Sequence, residues 1–284
     1  MNWFSNLYQN FTSRNIVEKI IAINIVLFVL TYLFNTLSFL FNIDQNLIVE
    51  WFSLQPDFEM LLYRPWTIVS YGFLHIGFFH IVFNLLFLFY FGNLFLDFFN
   101  ARQFMVYYLL GIVAGGLIYM LAYNYLPALK TQQTVLVGAS AGVTAIVIGI
   151  SSHIPQYSLH FRFIGKIKLL YIAIGMVVLD LVQIPAGNAG GHLAHLGGAL
   201  LGFLMTSYFG QGTHLISWLE QLFTPKDKTP LKTVYRNKKE TPQRKSNKNH
   251  DQAKIDSILD KISKSGYNTL SKEEKDFLFN QGKK

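Results

Sequence analysis

Six stretches of this chain are apolar over the length of a membrane-crossing helix, near residues 16–41, 75–98, 103–125, 138–156, 167–185 and 191–210. A bilayer core takes about 20 helical residues to cross, and within it only helices or closed barrels satisfy their own backbone groups. The sequence therefore predicts an all-α membrane protein with six transmembrane helices. Only 14% of its residues are charged, against roughly a quarter in soluble domains.

The formal net charge of +8 is unevenly placed. Residues 1–225 hold eight Lys/Arg and eight Asp/Glu, whereas residues 226–284 hold sixteen and eight. A basic excess confined to a tail after the last span fits a lipid-facing or partner-binding segment better than a nucleic-acid domain. The segments 42–74, 124–137 and 183–190 carry only Arg64 and Lys130 as bases, alongside Asp44, Glu50, Asp57 and Glu59. The opposite side carries Arg14, Lys19, Arg102, Arg162, Lys166, Lys168 and the tail. The positive-inside rule then puts both termini in the cytoplasm of a multi-pass cell-membrane protein. No cleavable signal peptide is expected, and residues 1–15 read as an interfacial segment. There is no Cys, so thiolate chemistry and disulfides are excluded.

The long first loop, with Trp51, Phe52, Phe58, Leu61, Leu62 and Trp66, reads as half-sunk in the membrane interface. Beyond the six-span core at 16–210, residues 211–250 read as a basic flexible linker. Residues 251–284 read as a small helical hairpin. Ile255, Ile258, Leu259 and Ile262 supply its apolar face, Gly266 the break, and Ser271 with Glu274 a capping box. The hairpin is either a docking element for a partner or a marginal helix pair with no role of its own.

Polar groups inside apolar spans are expensive and mark functional sites. Ser140 lies in Gly138-Ala139-Ser140-Ala141-Gly142. These small residues serve either a nucleophile or close helix packing. His195 precedes the pair Gly198 and Gly202, a close-contact face; if the fourth span packs there, His195 meets Ser140. His80 and Asn84 share one helix face as i and i+4 and can both donate hydrogen bonds, as oxyanion donors or as interhelical glue. His75 reads as structural, bonding into the first loop, and His192 as a loop residue in preference to a supporting partner of His195 on the same helix face. Neither His pair has ligand spacing for zinc, so no metal and no cofactor are expected. Asp180 is the one acid well inside an outer-half span; it either approaches the site or is a span-end carboxylate reaching water. The expectation is a two-residue Ser–His site, with His195 oriented by packing and stacking.

Taken in order, His75-x4-His80-x3-Asn84, Gly138-x-Ser140, and Ala194-His195-x2-Gly198-x3-Gly202 resemble the rhomboid family of intramembrane serine proteases, in its bacterial form, over residues 16–210. The resemblance implies a six-span rhomboid-like bundle with Ser140 as nucleophile, His195 as base, and His80 with Asn84 as oxyanion donors. It implies a serine endopeptidase that cuts membrane-anchored protein substrates near the outer face, with membrane lipid as surroundings and no nucleic-acid partner. The chain departs from the family pattern at Thr67, where Arg commonly follows the loop Trp (here Trp66). It departs also at Ala141, where Gly usually follows Ser, and at Thr144, where an aromatic often stacks on the catalytic His. The rival readings are a catalytically inactive relative that binds or escorts membrane clients, and a transporter. Both dyad residues are present, against the first, and no internal repeat is seen, against the second.

Overall fold

The computed structural model describes residues 12–43, 46–132, 134–162, 165–210, 213 and 245–281. The chain divides into two compact units, residues 1–226 and 227–284. In the first, the long helices are α1 (Ile16–Leu40), α5 (Phe78–Leu96), α6 (Ala101–Tyr125), α7 (Ser140–His153), α8 (Leu169–Gln183) and α9 (Ala189–Ser207). Short helices α2 (Leu47–Phe52), α3 (Phe58–Tyr63) and α4 (Thr67–Ser70) occupy the first loop.

These six long helices coincide with the six apolar stretches. Four segments, Ile16–Leu40, Phe78–Leu96, Ala101–Tyr125 and Leu169–Ala186, are each long and apolar enough to cross a membrane. Helix α7 has only 14 residues, about 21 Å at 1.5 Å per residue, less than a hydrocarbon core of about 30 Å. It is instead the axis of the bundle, with every residue from Ala141 to Ser151 buried. The outer helices are the opposite case. Helix α1 buries only Val17, Ile20, Asn24 and Thr31, and α8 only Leu169 and Asp180. Their remaining Ile, Leu, Val and Phe side chains largely face outward, an apolar surface that lipid covers and water would not.

Close approach at the centre depends on small residues. A methyl group added at Gly115 of α6 would strike the Cβ of Ala141 and the Ala194 carbonyl, and one at Gly142 of α7 would strike the Tyr108 carbonyl. Without a hydrophobic drive between helices in lipid, such backbone contact is what holds α6, α7 and α9 together. Around it lies an aromatic layer, including Phe95 stacked on Phe99 at 4.2 Å between ring centroids.

The connection between α7 and α8 is an antiparallel hairpin, β1 (Ser158–Phe161) with β2 (Gly165–Lys168), in the register Ser158 to Lys168. Its alternating Leu159 and Phe161 carry the strand period. In the second unit α10 (Lys245–Ser265) and α11 (Lys272–Gln281) form the expected hairpin. The first helix starts at Lys245 rather than near 251, inside the stretch read as linker. Gly266 breaks the chain at φ +82°. The capping box is present, with Ser271 N–H donating to Glu274 Oε2 at 2.8 Å and Glu274 N–H to Ser271 Oγ at 3.3 Å. Expectations for residues 1–11 and for most of the linker fall outside the described residues.

Candidate active site

Ser140 is the first residue of α7, and the segment before it is set by the first loop. Leu54 and Leu136 exchange two backbone hydrogen bonds, at 3.1 and 2.8 Å, and Gly138 N–H donates to the Tyr71 carbonyl at 2.9 Å. Gly138 has φ +128°, and a Cβ there would lie 2.8 Å from Cε1 of His80. Only glycine meets both demands. His75 is buried, and its Nε2 faces the Ala139 N–H at 3.5 Å. That contact joins the end of the first loop, where His75 stands next to Leu74, to the approach to α7.

The loop itself is clamped by an arrangement the sequence reading missed. Trp66 stacks parallel to Trp51 at 6.4 Å and donates from Nε1 to the Trp51 carbonyl at 2.9 Å. The cation expected at Thr67 is supplied by Arg64. Its guanidinium sits 4.3 Å from the Trp51 ring centre and donates to the Glu50 carbonyl at 2.6 Å. Thr67 instead donates to the Arg64 carbonyl at 2.7 Å. The signal was present in the sequence, displaced by three residues.

His195 reaches the site because α9 lies directly on α7. A methyl at Gly198 would meet the Ala141 carbonyl, and one at Gly202 the Ala145 carbonyl. This is the close-contact face the glycine spacing predicts, and the helix against it is the one that begins with Ser140. His192 is not a loop residue. Asn188, in the left-handed conformation at φ 50°, caps α9 by accepting from Gly191 N–H at 3.3 Å, so the helix already runs through His192.

The expectation that His195 lacks a carboxylate is also corrected. Asp180 Oδ1 lies 2.8 Å from Nδ1 of His195 and 2.8 Å from Nδ1 of His192. The short connection at residues 184–188 folds α9 back along α8, so an acid fifteen residues upstream faces the first turns of α9. His192 and His195, at i and i+3, present one face to it. Asp180 is buried among its neighbours. These three side chains are the one group among the described residues with the donor types of a metal site, their ligand atoms within 4.8 Å of one another. Each Nδ1 already has the carboxylate as its hydrogen-bond partner.

Ser140, His195, His80, Asn84, Asp180 and His192 all line one cavity of about 600 Å³. Its walls are Phe79, Phe83 and Phe87 of α5 on one side, and Met176, Leu179 and Gln183 of α8 on the other. Asn84 Nδ2 donates to the His80 carbonyl at 2.9 Å. An amide nitrogen carries two hydrogens, so one remains for the cavity. Thr144, one turn beyond Ser140, also lines it and has no ring to offer His195. A second cavity of about 650 Å³ between α7, α8 and α9 is lined by Phe203 and by aliphatic and Ser side chains, without a titratable group.

The comparisons with known proteins agree with this architecture. A family described as the Rhomboid domain matches residues 63–212. A second, a family of unknown function named DUF6576, matches residues 243–283, the helical hairpin. The mitochondrial RHOMBOID-like protein 12 of Arabidopsis thaliana is 27% identical over 203 residues, covering 67% of this chain and 57% of the relative. The chain thus spans somewhat over half the length of that relative. With more than half of its residues inside the matched domain, and with α5, α7 and α9 carrying the motifs in family order, the chain belongs to the rhomboid family.

Proposed function

We propose that this membrane protein is an intramembrane serine protease of the rhomboid type. The observation that carries the reading is the contact of Gly198 and Gly202 with Ala141 and Ala145, which brings His195 and Ser140 to one cavity. Water reaches such a site only through a protein-lined opening, because lipid holds none. The cavity beside Ser140 supplies that space.

In this mechanism the Ser140 hydroxyl oxygen attacks the carbonyl carbon of a substrate peptide bond, and its proton passes to Nε2 of His195. The oxyanion is met by His80, the free Asn84 N–H and the Ser140 backbone N–H. Each donor contributes about 3 kcal/mol in known oxyanion holes. As the C–N bond breaks, the proton on Nε2 moves to the leaving amine. Water then hydrolyses the acyl-enzyme at Ser140, with His195 as base. The substrate is a membrane-anchored protein segment entering between α5 and α8. The exposure of α8 and the aromatic wall of α5 support that lateral entrance, with residues 183–190 as the cap. The distribution of basic residues supports both termini on the cytoplasmic side of a cell membrane and the site near the outer face.

The test is cleavage of a single-span substrate by purified protein, together with labelling by a fluorophosphonate. Wild type is expected to cleave and to label. Ser140→Ala is expected to do neither, and His195→Ala to lose cleavage. Undiminished cleavage by Ser140→Ala would remove the nucleophile assignment. A wild type that neither cleaves nor labels would leave a relative that binds membrane clients without cutting them.

A further inference from the structure

We propose that Asp180 is a positioning residue of the site, holding His195 in the tautomer and orientation that proton transfer from Ser140 requires, so that the working unit is Ser140–His195–Asp180. The inference rests on the protease reading and deepens it.

The carboxylate lies on α8, a helix that buries almost nothing else. A buried carboxylate in a membrane bundle is costly unless it is paired, and packing alone gives no reason for one here. What Asp180 touches is Nδ1 of His195 at 2.8 Å, and Nδ1 of His192 at 2.8 Å through the same oxygen. An ionised carboxylate only accepts hydrogen bonds. Both imidazoles therefore carry their proton on Nδ1, which leaves the Nε2 lone pair of His195 for the Ser140 hydroxyl. That is the protonation a general base needs. When Nε2 takes the serine proton, the imidazolium formed lies against a negative charge. The Nδ1 proton stays where it is.

No other described side chain does this work. The ring of His192 meets that of His195 edge-on at 85°, with 5.9 Å between centroids, and makes no flat stack on it. Thr144 has no ring. The shared oxygen gives His192 a distinct part: it ties the carboxylate to α9 from a second side, one turn nearer the start of that helix.

The test compares Asp180→Asn with wild type, Ser140→Ala and His192→Ala in detergent. Asparagine keeps the volume and the packing of α8 on α9, but removes the charge and offers a donor. If Asp180 merely ties two helices together, Asp180→Asn is tolerated. If it positions His195, kcat falls by about 100–10,000-fold, following the general size of base-catalysis effects, while KM stays within about threefold. His192→Ala keeps kcat within about tenfold. A second readout is independent of turnover: the 15N shifts of labelled histidines. His195 is expected as the Nδ1–H tautomer in wild type and in Ser140→Ala, and to lose that state in Asp180→Asn. A folded Asp180→Asn protein with wild-type kcat, or an Nε2–H tautomer of His195 in wild type, overturns the proposal. Absence of turnover and labelling in wild type would sink the protease reading instead, and the tautomer would still decide the Asp180 contact.

Discussion

Two glycine-to-alanine substitutions make the same chemical change with opposite expected outcomes. At Gly198 the added methyl would sit 2.9 Å from the Ala141 carbonyl carbon and 3.2 Å from its Cα, with the oxygen nearer still. The obstacle is backbone, which cannot swing aside as a side-chain tip can. Helix α9 must therefore move off α7. Overpacking of this kind costs about 1–3 kcal/mol. The displacement falls between the helices that carry His195 and Ser140, and a shift of about 1 Å between reacting groups can cost a hundredfold in rate. At Gly175 of α8 nothing lies within 4 Å of an added methyl. There alanine gains helix propensity, about 0.5–1 kcal/mol. Thermal unfolding in detergent and kcat on a single-span substrate read both effects. Gly198→Ala is expected to unfold earlier and to lose at least tenfold in kcat. Gly175→Ala is expected to unfold at the same temperature or later, with kcat within about threefold. Equal stability and equal kcat for the two variants would refute the claim that the α7–α9 contact sets the site.

On the proposed mechanism Asn84→Ala should lower kcat by about 10–1000-fold with little change in KM, because the variant lacks the proposed transition-state donor; steady-state kinetics that show only a KM effect would make Asn84 a packing or binding residue. Arg64→Ala should destabilise the fold by about 1–2 kcal/mol through loss of the contact with the Trp51 ring and of the bond to the Glu50 carbonyl. Lysine should not restore it, because the planar fork makes both contacts, and thermal unfolding of the two variants checks this. In the C-terminal unit the Ser271 N–H, and then Lys261, hold the Glu274 carboxyl below its ordinary value of 4.5. A lowered folded value means the contribution is present above pH 4.5 and fades as pH falls through the lowered value. The protection factor of the Ser271 amide, its exchange rate relative to the intrinsic rate at each pH, should therefore fall in acid, and a Glu274→Gln protein should show a smaller change.

The elements legible in the sequence are those whose signal is local. A membrane helix is announced by its own length and apolarity, and all six long helices fall where those stretches lie. The capping box at Ser271 and Glu274 and the break at Gly266 were equally readable, because each is closed within a few residues. The glycine pair at 198 and 202 said that some backbone comes close, and the order of motifs said which. Residue types alone leave Ser140 between a nucleophile and a packing face, and the family resemblance implies the first.

What escaped the sequence reading depends on partners brought together by turns it could not place. Arg64 was overlooked because a cation was sought directly after Trp66; the turn of α4 places the guanidinium on Trp51 from the other side. Asp180 is left by the sequence between approaching the site and reaching water, since fifteen residues of separation along two apolar segments give no periodic signal that it faces His195. Yet the cost of that burial was visible all along. An acid with few neighbours of its own sign or the opposite one, inside a stretch as apolar as Leu169–Gln183, needs a donor on another helix, and the chain offers two histidines at i and i+3 just beyond the next turn. Counting which buried charges lack a partner within their own helix, and then asking what the next helix presents in its first two turns, would have found the contact before any coordinates did.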